Sequence, residues 1–244
     1  MAELSDKEEK MIEKMSMKEM MEKAKTIYFM DDFRAFMRKN VQGFTDEDFK
    51  KPVPRIKQLI LESKEIDPAK MFYDVFEQVE KEWTLSAPVP VHNEWHHFVV
   101  PGVVLASMRN CDYGITDKDI VEGMARGEKF AGGSCGFAGT CGGAYSAGIV
   151  ASVVNKTTVL HDEERVEIMK LVAETLNKIS QHGRRCCKRS SFIAIESAAG
   201  YLSKKYILPL SQIECKFSSK NKMCLGKKCP YHKYYKTNQE VVVE

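Results

Sequence analysis

The first 85 residues contain no cysteine and no histidine, although the chain of 244 residues has eight cysteines and six histidines. The N-terminal third therefore lacks the thiols and imidazoles that most often ligate transition metals or act as nucleophiles and proton shuttles. Nowhere does an apolar run reach the length needed for a transmembrane helix. The N-terminus, MAELSDKEEK, has no apolar stretch of the secretory kind, so a cytoplasmic chain with no membrane partner is expected. Strand-like alternation, internal repeats and low-complexity tracts are missing as well. The net charge of +3 is too small to imply a nucleic-acid partner by itself. No Gly-Lys-Ser/Thr follows the glycine-rich stretch, which excludes a P-loop. The histidines do not fall into the HExxH spacing of a metalloprotease.

What is present reads as helix. Ser5 with Glu8 three residues later forms a capping box, and apolar residues including Met11, Met15, Phe29, Phe33 and Met37 recur at helical spacing across residues 4–40. Six of the thirteen methionines lie between Met1 and Met21, a pattern suited to adaptable helix packing. A connector over 43–54 precedes amphipathic helices over 55–63 and 69–83, the second led in by Asp67-Pro68. Residues 1–85 thus form a helical scaffold or partner-docking region. The stiff Ser86-Ala87-Pro88-Val89-Pro90 stretch then separates it from a region, 86–244, that holds every cysteine and histidine. Helices are expected there over 100–109, from Thr116 with Asp119 as its capping-box partner, and over 144–154, 161–180 and 190–206. The fold class is all-α.

Four constellations carry potential chemistry. The stretch 132–148 holds seven glycines, with Cys135 and Cys141 among them at the start of a helix. Glycine there permits close backbone approach to a ligand, Gly133 and Gly136 being the candidates, and a helix start favours thiolate. His92-x-Glu94-x-His96-His97 can bind metal or move protons, with His96 and His97 as candidate acid–base residues beside Cys135 and Cys141 as nucleophiles. In Arg184-Arg185-Cys186-Cys187-Lys188-Arg189, cations around two thiols favour thiolate, and Arg185 and Lys188 are candidates for holding an anionic cofactor or substrate. Last, Cys215, Cys224 and Cys229 fall within fifteen residues of a Lys-rich segment with little core of its own. Joined by Cys186 or Cys187 they would make a four-cysteine [4Fe–4S] site; joined by His232 they would make a zinc site.

The stretches HNEWHHFVVPGVVLA, GGSCGFAGTCGGAYSAGI, RRCCKRSSF and the terminal C-x8-C-x4-CPYH together resemble a cysteine-rich microbial domain family of unknown function, which also occurs behind SAM-dependent methyltransferase domains. The resemblance covers about 150 residues and implies no particular activity. GGSCGFAGTCGGA is similar over a dozen residues to the Gly/Cys segment of iron–sulfur serine dehydratases. The C-terminal run also resembles Cys₃His zinc fingers that bind single-stranded RNA, although its last two spacings are each one residue shorter. The leading expectation is an iron–sulfur enzyme of lyase or sulfur-transfer type acting on a small molecule. The alternatives are a zinc-stabilised RNA-binding or adaptor protein, with the lysines at 216, 220, 222, 227 and 228 on phosphate and Phe217 or Tyr231 stacking on bases, and a cluster or metal carrier docked on a partner enzyme. A homo-oligomer or a complex with a partner enzyme is expected.

Overall fold

A computed structural model describes residues 11, 12 and 15–235, and the capping box at Ser5 lies outside them. Among the described residues the chain is helical, without strands. Where one long helix is expected near the N-terminus there are two: α1 (Met17–Ala24), capped by a Ser16/Glu19 box, and α2 (Met30–Phe36), which runs on into a π-helical turn, Met37–Gln42. Within the expected connector lies a short helix, α3 (Asp46–Lys50), started by a Thr45/Asp48 capping box. Then come α4 (Val53–Glu62), α5 (Pro68–Lys81), α6 (Trp95–Asn110), α7 (Asp117–Glu128), α8 (Ser134–Phe137), α9 (Gly142–Val154), α10 (Asp162–Ser180) and α11 (Cys187–Leu202). No helix among the described residues is long and apolar enough to cross a membrane.

The centre of the fold is α6. It is apolar on every side, as a helix enclosed by others must be, and fourteen of its sixteen residues are buried. Helices α4, α5, α7, α9 and α11 pack around it. Pro101 sits inside α6 and has no N–H to give the His97 carbonyl four residues back. A buried carbonyl left unpaired is costly. Ser146 on α9 supplies a donor there, its Oγ lying 3.0 Å from the His97 oxygen and 2.8 Å from the Gly142 oxygen, so that the two carbonyls share its one proton. Gly127 on α7 packs against the same carbonyl, with no room for a side chain between them.

One core runs from Phe44 to Tyr231 and therefore crosses the proline-containing stretch at 86–90. A second, smaller cluster gathers Ile12, Ala24 and Phe36 with Met15, Met20 and Met37. The methionines thus fill a small N-terminal cluster, as their pliability suits. The N-terminal helices meet the rest of the protein through an edge-on contact of Phe33 with Phe137 and through ion pairs from Arg34 and Arg38 to Glu94.

Candidate functional site

The turn before α11 presents two consecutive cysteines to two different places. Cys186 is the N-cap, and its sulfur accepts from the Arg189 N–H. Cys187 is the first helical residue. Successive residues on a helix point about 100° apart, so the pair diverges.

Cys186 looks into an enclosed cavity that Cys215, Cys224 and Cys229 also line, together with Lys188, Arg189, Phe217, Asn221 and His232. Its free space is about 10 Å³, the volume of about one water. The three C-terminal cysteines come from a loop with only two 3₁₀ turns, Ser218–Lys220 and Gly226–Lys228. The loop is held by a backbone bond from Cys215 N to Tyr231 O (2.6 Å) and by its own aromatic residues, Phe217 and Tyr231, which are buried. Several N–H groups point at sulfur: Asn221 Nδ2 to Cys186 (3.6 Å) and Gly226 N to Cys224 (3.3 Å). Such bonds stabilise thiolate charge. Burial pushes the Cys215 thiol up to about 11, and the neighbouring Cys186, Cys229 and Cys224 add to the shift. Burial also raises Cys186, so the basic turn does not hold that thiol as thiolate. No three His, Cys, Asp or Glu side chains among the described residues are arranged to hold a single ion.

Lys188 and Arg189 are buried rather than solvated. The Lys188 ammonium rests on the face of Phe76 (2.9 Å to the centroid) and near those of Phe217 and Phe72, with no hydrogen-bond partner. Burial holds its pKa far below the usual lysine value.

Cys187 faces the glycine-rich loop. Arg185 Nη2 lies 3.9 Å from its sulfur. Burial raises its pKa, but the Arg185 charge, His92 and the Asn93 N–H outweigh burial and lower it to about 7. The same guanidinium lies within electrostatic reach of Cys135 and Cys141. Cys141 is the N-cap of α9 and its thiol is raised by burial, whereas Cys135 is on α8 and exposed. His92 links the two groups. Its Nδ1 accepts from Cys187 N (3.5 Å), and its Nε2 meets Asn221 Oδ1 (3.0 Å), whose amide donates to Cys186. Beside them opens a second cavity with about 50 Å³ of free space, lined by Arg34, Arg38, His92, Glu94, Gly132, Gly133 and Arg185. Glu94 gathers Arg34, Arg38 and the Gly132 N–H (2.8 Å) onto one carboxylate.

The histidines expected to serve Cys135 and Cys141 are placed otherwise. His96 is 2 % exposed, stacked on Phe76, and its Nδ1–H donates to Asn93; burial keeps it neutral. His97 donates from Nδ1 to the Phe130 carbonyl (3.0 Å), and its ring is pressed against Gly142. Both are packing residues. The histidine that touches the cysteines is His92. Gly133 adopts positive φ (92°) at the head of α8 and lines the second cavity, whereas Gly136 faces open space. His232 borders the first cavity, but its Nδ1 accepts from Tyr234 N (3.2 Å). Phe217 and Tyr231, expected to stack on bases, are in the core. Tyr231 donates to Glu196, and Lys216 and Lys220 pair with Glu77 and Glu80.

Arg34, Arg38 and Asn221 carry no sequence motif, and Glu94, part of the His92–His97 cluster, gathers arginines rather than a metal. The two arginines have the i, i+4 spacing of one helix face, but they lie more than fifty residues before Glu94 and share no motif with it.

All the cysteines and histidines of this arrangement, though not Arg34 and Arg38, fall within one family match. The family model of DUF5714, a family of unknown function, matches residues 56–232. That is most of the chain, and the protein belongs to this family. No curated protein and no solved structure matches it.

Proposed function

We propose that the protein is an iron–sulfur protein in which Cys186, Cys215, Cys224 and Cys229 hold a [4Fe–4S] cluster, and that it is an enzyme of lyase or sulfur-transfer type acting on an anionic small molecule. The observation that carries this reading is the convergence of Cys186, from the head of α11, with three cysteines of a distant loop on one enclosed cavity. Cys229 is buried and the other three are half-buried, and a group that joined them would explain why they share one cavity. The N–H groups aimed at Cys186 and Cys224, and the Arg189 cation on the cavity wall, fit a group of net negative charge.

Bound there, such a cluster supplies electron transfer or a Lewis-acidic iron. The chain's own groups provide the rest. Arg185 is placed to bind a carboxylate or phosphate beside Cys187. His92 ties the two cysteine groups together, accepting from the Cys187 backbone N–H and meeting the Asn221 amide oxygen. Glu94 keeps Arg34 and Arg38 fixed in the pocket wall.

A zinc ion on the same four cysteines is the second reading, favoured by the small free space between them. Purification without oxygen separates the two. Iron with acid-labile sulfide and a brown colour supports the cluster, and one zinc per colourless chain supports the alternative. A chain that takes up neither refutes both.

A further inference from the structure

We propose that the arginine-lined cavity binds a short monocarboxylate with an apolar tail. The inference deepens the reading of an anionic small-molecule substrate and rests on it, but it does not depend on any metal being bound.

Charge on the cavity wall is unbalanced. The wall carries three arginines, Arg34, Arg38 and Arg185, and one carboxylate, Glu94. Arg38 pairs with Glu94 (2.8 Å) and with Asp46. Arg34 pairs with Glu94 (3.1 Å) and with Asp31 (3.4 Å). Those two cations therefore have acids of their own. Arg185 has no acidic partner among the described residues, and its one hydrogen bond runs from Nη2 to the Cys187 sulfur (3.9 Å). That bond leaves most of its N–H donors without a protein acceptor. The Arg34 Nε is likewise buried without an acceptor. A buried donor left unmet is costly, and an incoming oxygen would recover that cost.

One unpaired cation calls for one negative charge. A carboxylate supplies it and matches the planar fork of a guanidinium. A phosphate dianion would bring a second charge that no free cation on this wall meets. Apolar side chains complete the wall. Phe33 on α2 and Met37 in the π-helical turn after it are both half-buried. Phe33 in turn meets Phe137 edge-on at 5.3 Å, and Phe137 is exposed. A ligand whose carboxylate meets Arg185 would lay its tail on this apolar side. The free space of about 50 Å³ admits about four water-sized groups, which limits the ligand to a short acid.

The test is titration calorimetry of the full chain with acetate, butyrate and inorganic phosphate, with metal content measured on the same sample. Butyrate should bind saturably and about tenfold more tightly than acetate, since each buried methylene is worth about fourfold. Phosphate should bind more weakly than butyrate. Arg185→Gln should weaken butyrate about ten- to hundredfold, the worth of a charged hydrogen bond. Arg165→Gln, at an exposed arginine paired with Asp162 on α10, should leave it unchanged. Should Arg185→Gln fail to fold, Phe33→Ala reads the same site from another helix and should close the gap between butyrate and acetate. The inference is overturned if butyrate does not saturate below about 10 mM, if phosphate binds as tightly, or if either folded variant titrates as the parent does. Butyrate binding to a chain that takes up no iron would leave this inference standing and remove the proposed cluster. A loaded cluster with no butyrate bound would do the reverse.

Discussion

Adding one methyl group at the glycines around His97 should destabilise the protein in an order that the packing sets. At Gly127 a Cβ would meet the backbone, 2.7 Å from Phe98 Cα and overlapping the His97 carbonyl. At Gly142 it would lie 2.5 Å from His97 Cγ, a ring held by its bond to Phe130. At Gly200, inside α11, it meets nothing within 4 Å. Overpacking costs about 1–3 kcal/mol, and more where backbone must move. Alanine returns up to about 1 kcal/mol of helix propensity in a helix interior and less at a first turn. Gly127→Ala should thus cost about 2–3 kcal/mol and Gly142→Ala about 2 kcal/mol, whereas Gly200→Ala should gain about 0.5 kcal/mol. For a chain of this size each kcal/mol moves Tm by about 2–4 °C. Urea midpoints at equal m-values, together with Tm, provide the measurement. If Gly127→Ala and Gly142→Ala unfold with Gly200→Ala, the helices do not cross as closely as the structure has them, and His97 is not the packed hub described here.

Further outcomes follow from the same contacts. Ser146→Ala should cost about 1–3 kcal/mol by stranding the buried His97 carbonyl, and a denaturation midpoint equal to the parent's would contradict this. Cys224→Ser and Cys229→Ser should each strip iron and sulfide from the C-terminal site, while Cys111→Ser leaves them unchanged in elemental analysis. Burial lowers the pKa of both His96 and His97. The unfolded chain then binds more protons below about pH 6.5. Stability should be full above that pH and decline as pH falls through it, with a shallower decline in His96→Phe. Urea midpoints at pH 7 and 5.5 check this, and a midpoint that rises on acidification would refute it.

The helical class was legible because apolar spacing and capping residues are local signals. Thr116 with Asp119, and Asp67 before Pro68, start helices where they stand in the sequence. The ends were less legible. Expected to begin at 190, α11 begins at Cys187, because the thiol of Cys186 does the capping. The expected helix over 100–109 begins at Trp95, with Pro101 tolerated inside it by a bond from another helix. The assembly of Cys186 with the C-terminal cysteines agrees with their spacing. The roles of the histidines could not be read, since His92, His96 and His97 lie within six residues and differ only in what tertiary packing puts beside them. Asn221 gave no sequence signal, and the His/Glu cluster that flags Glu94 does not reveal its arginine partner 60 residues away.

The loop that carries Cys215, Cys224 and Cys229 also carries Phe217 and Tyr231 into the main core, where Phe217 stacks on Tyr73 and Tyr231 meets Phe192 edge-on. Were the cysteines to hold the proposed group, the same loop would carry both the ligands and part of the core, and losing the group would loosen Phe217 from Tyr73 and Tyr231 from Phe192, exposing apolar faces that proteases recognise.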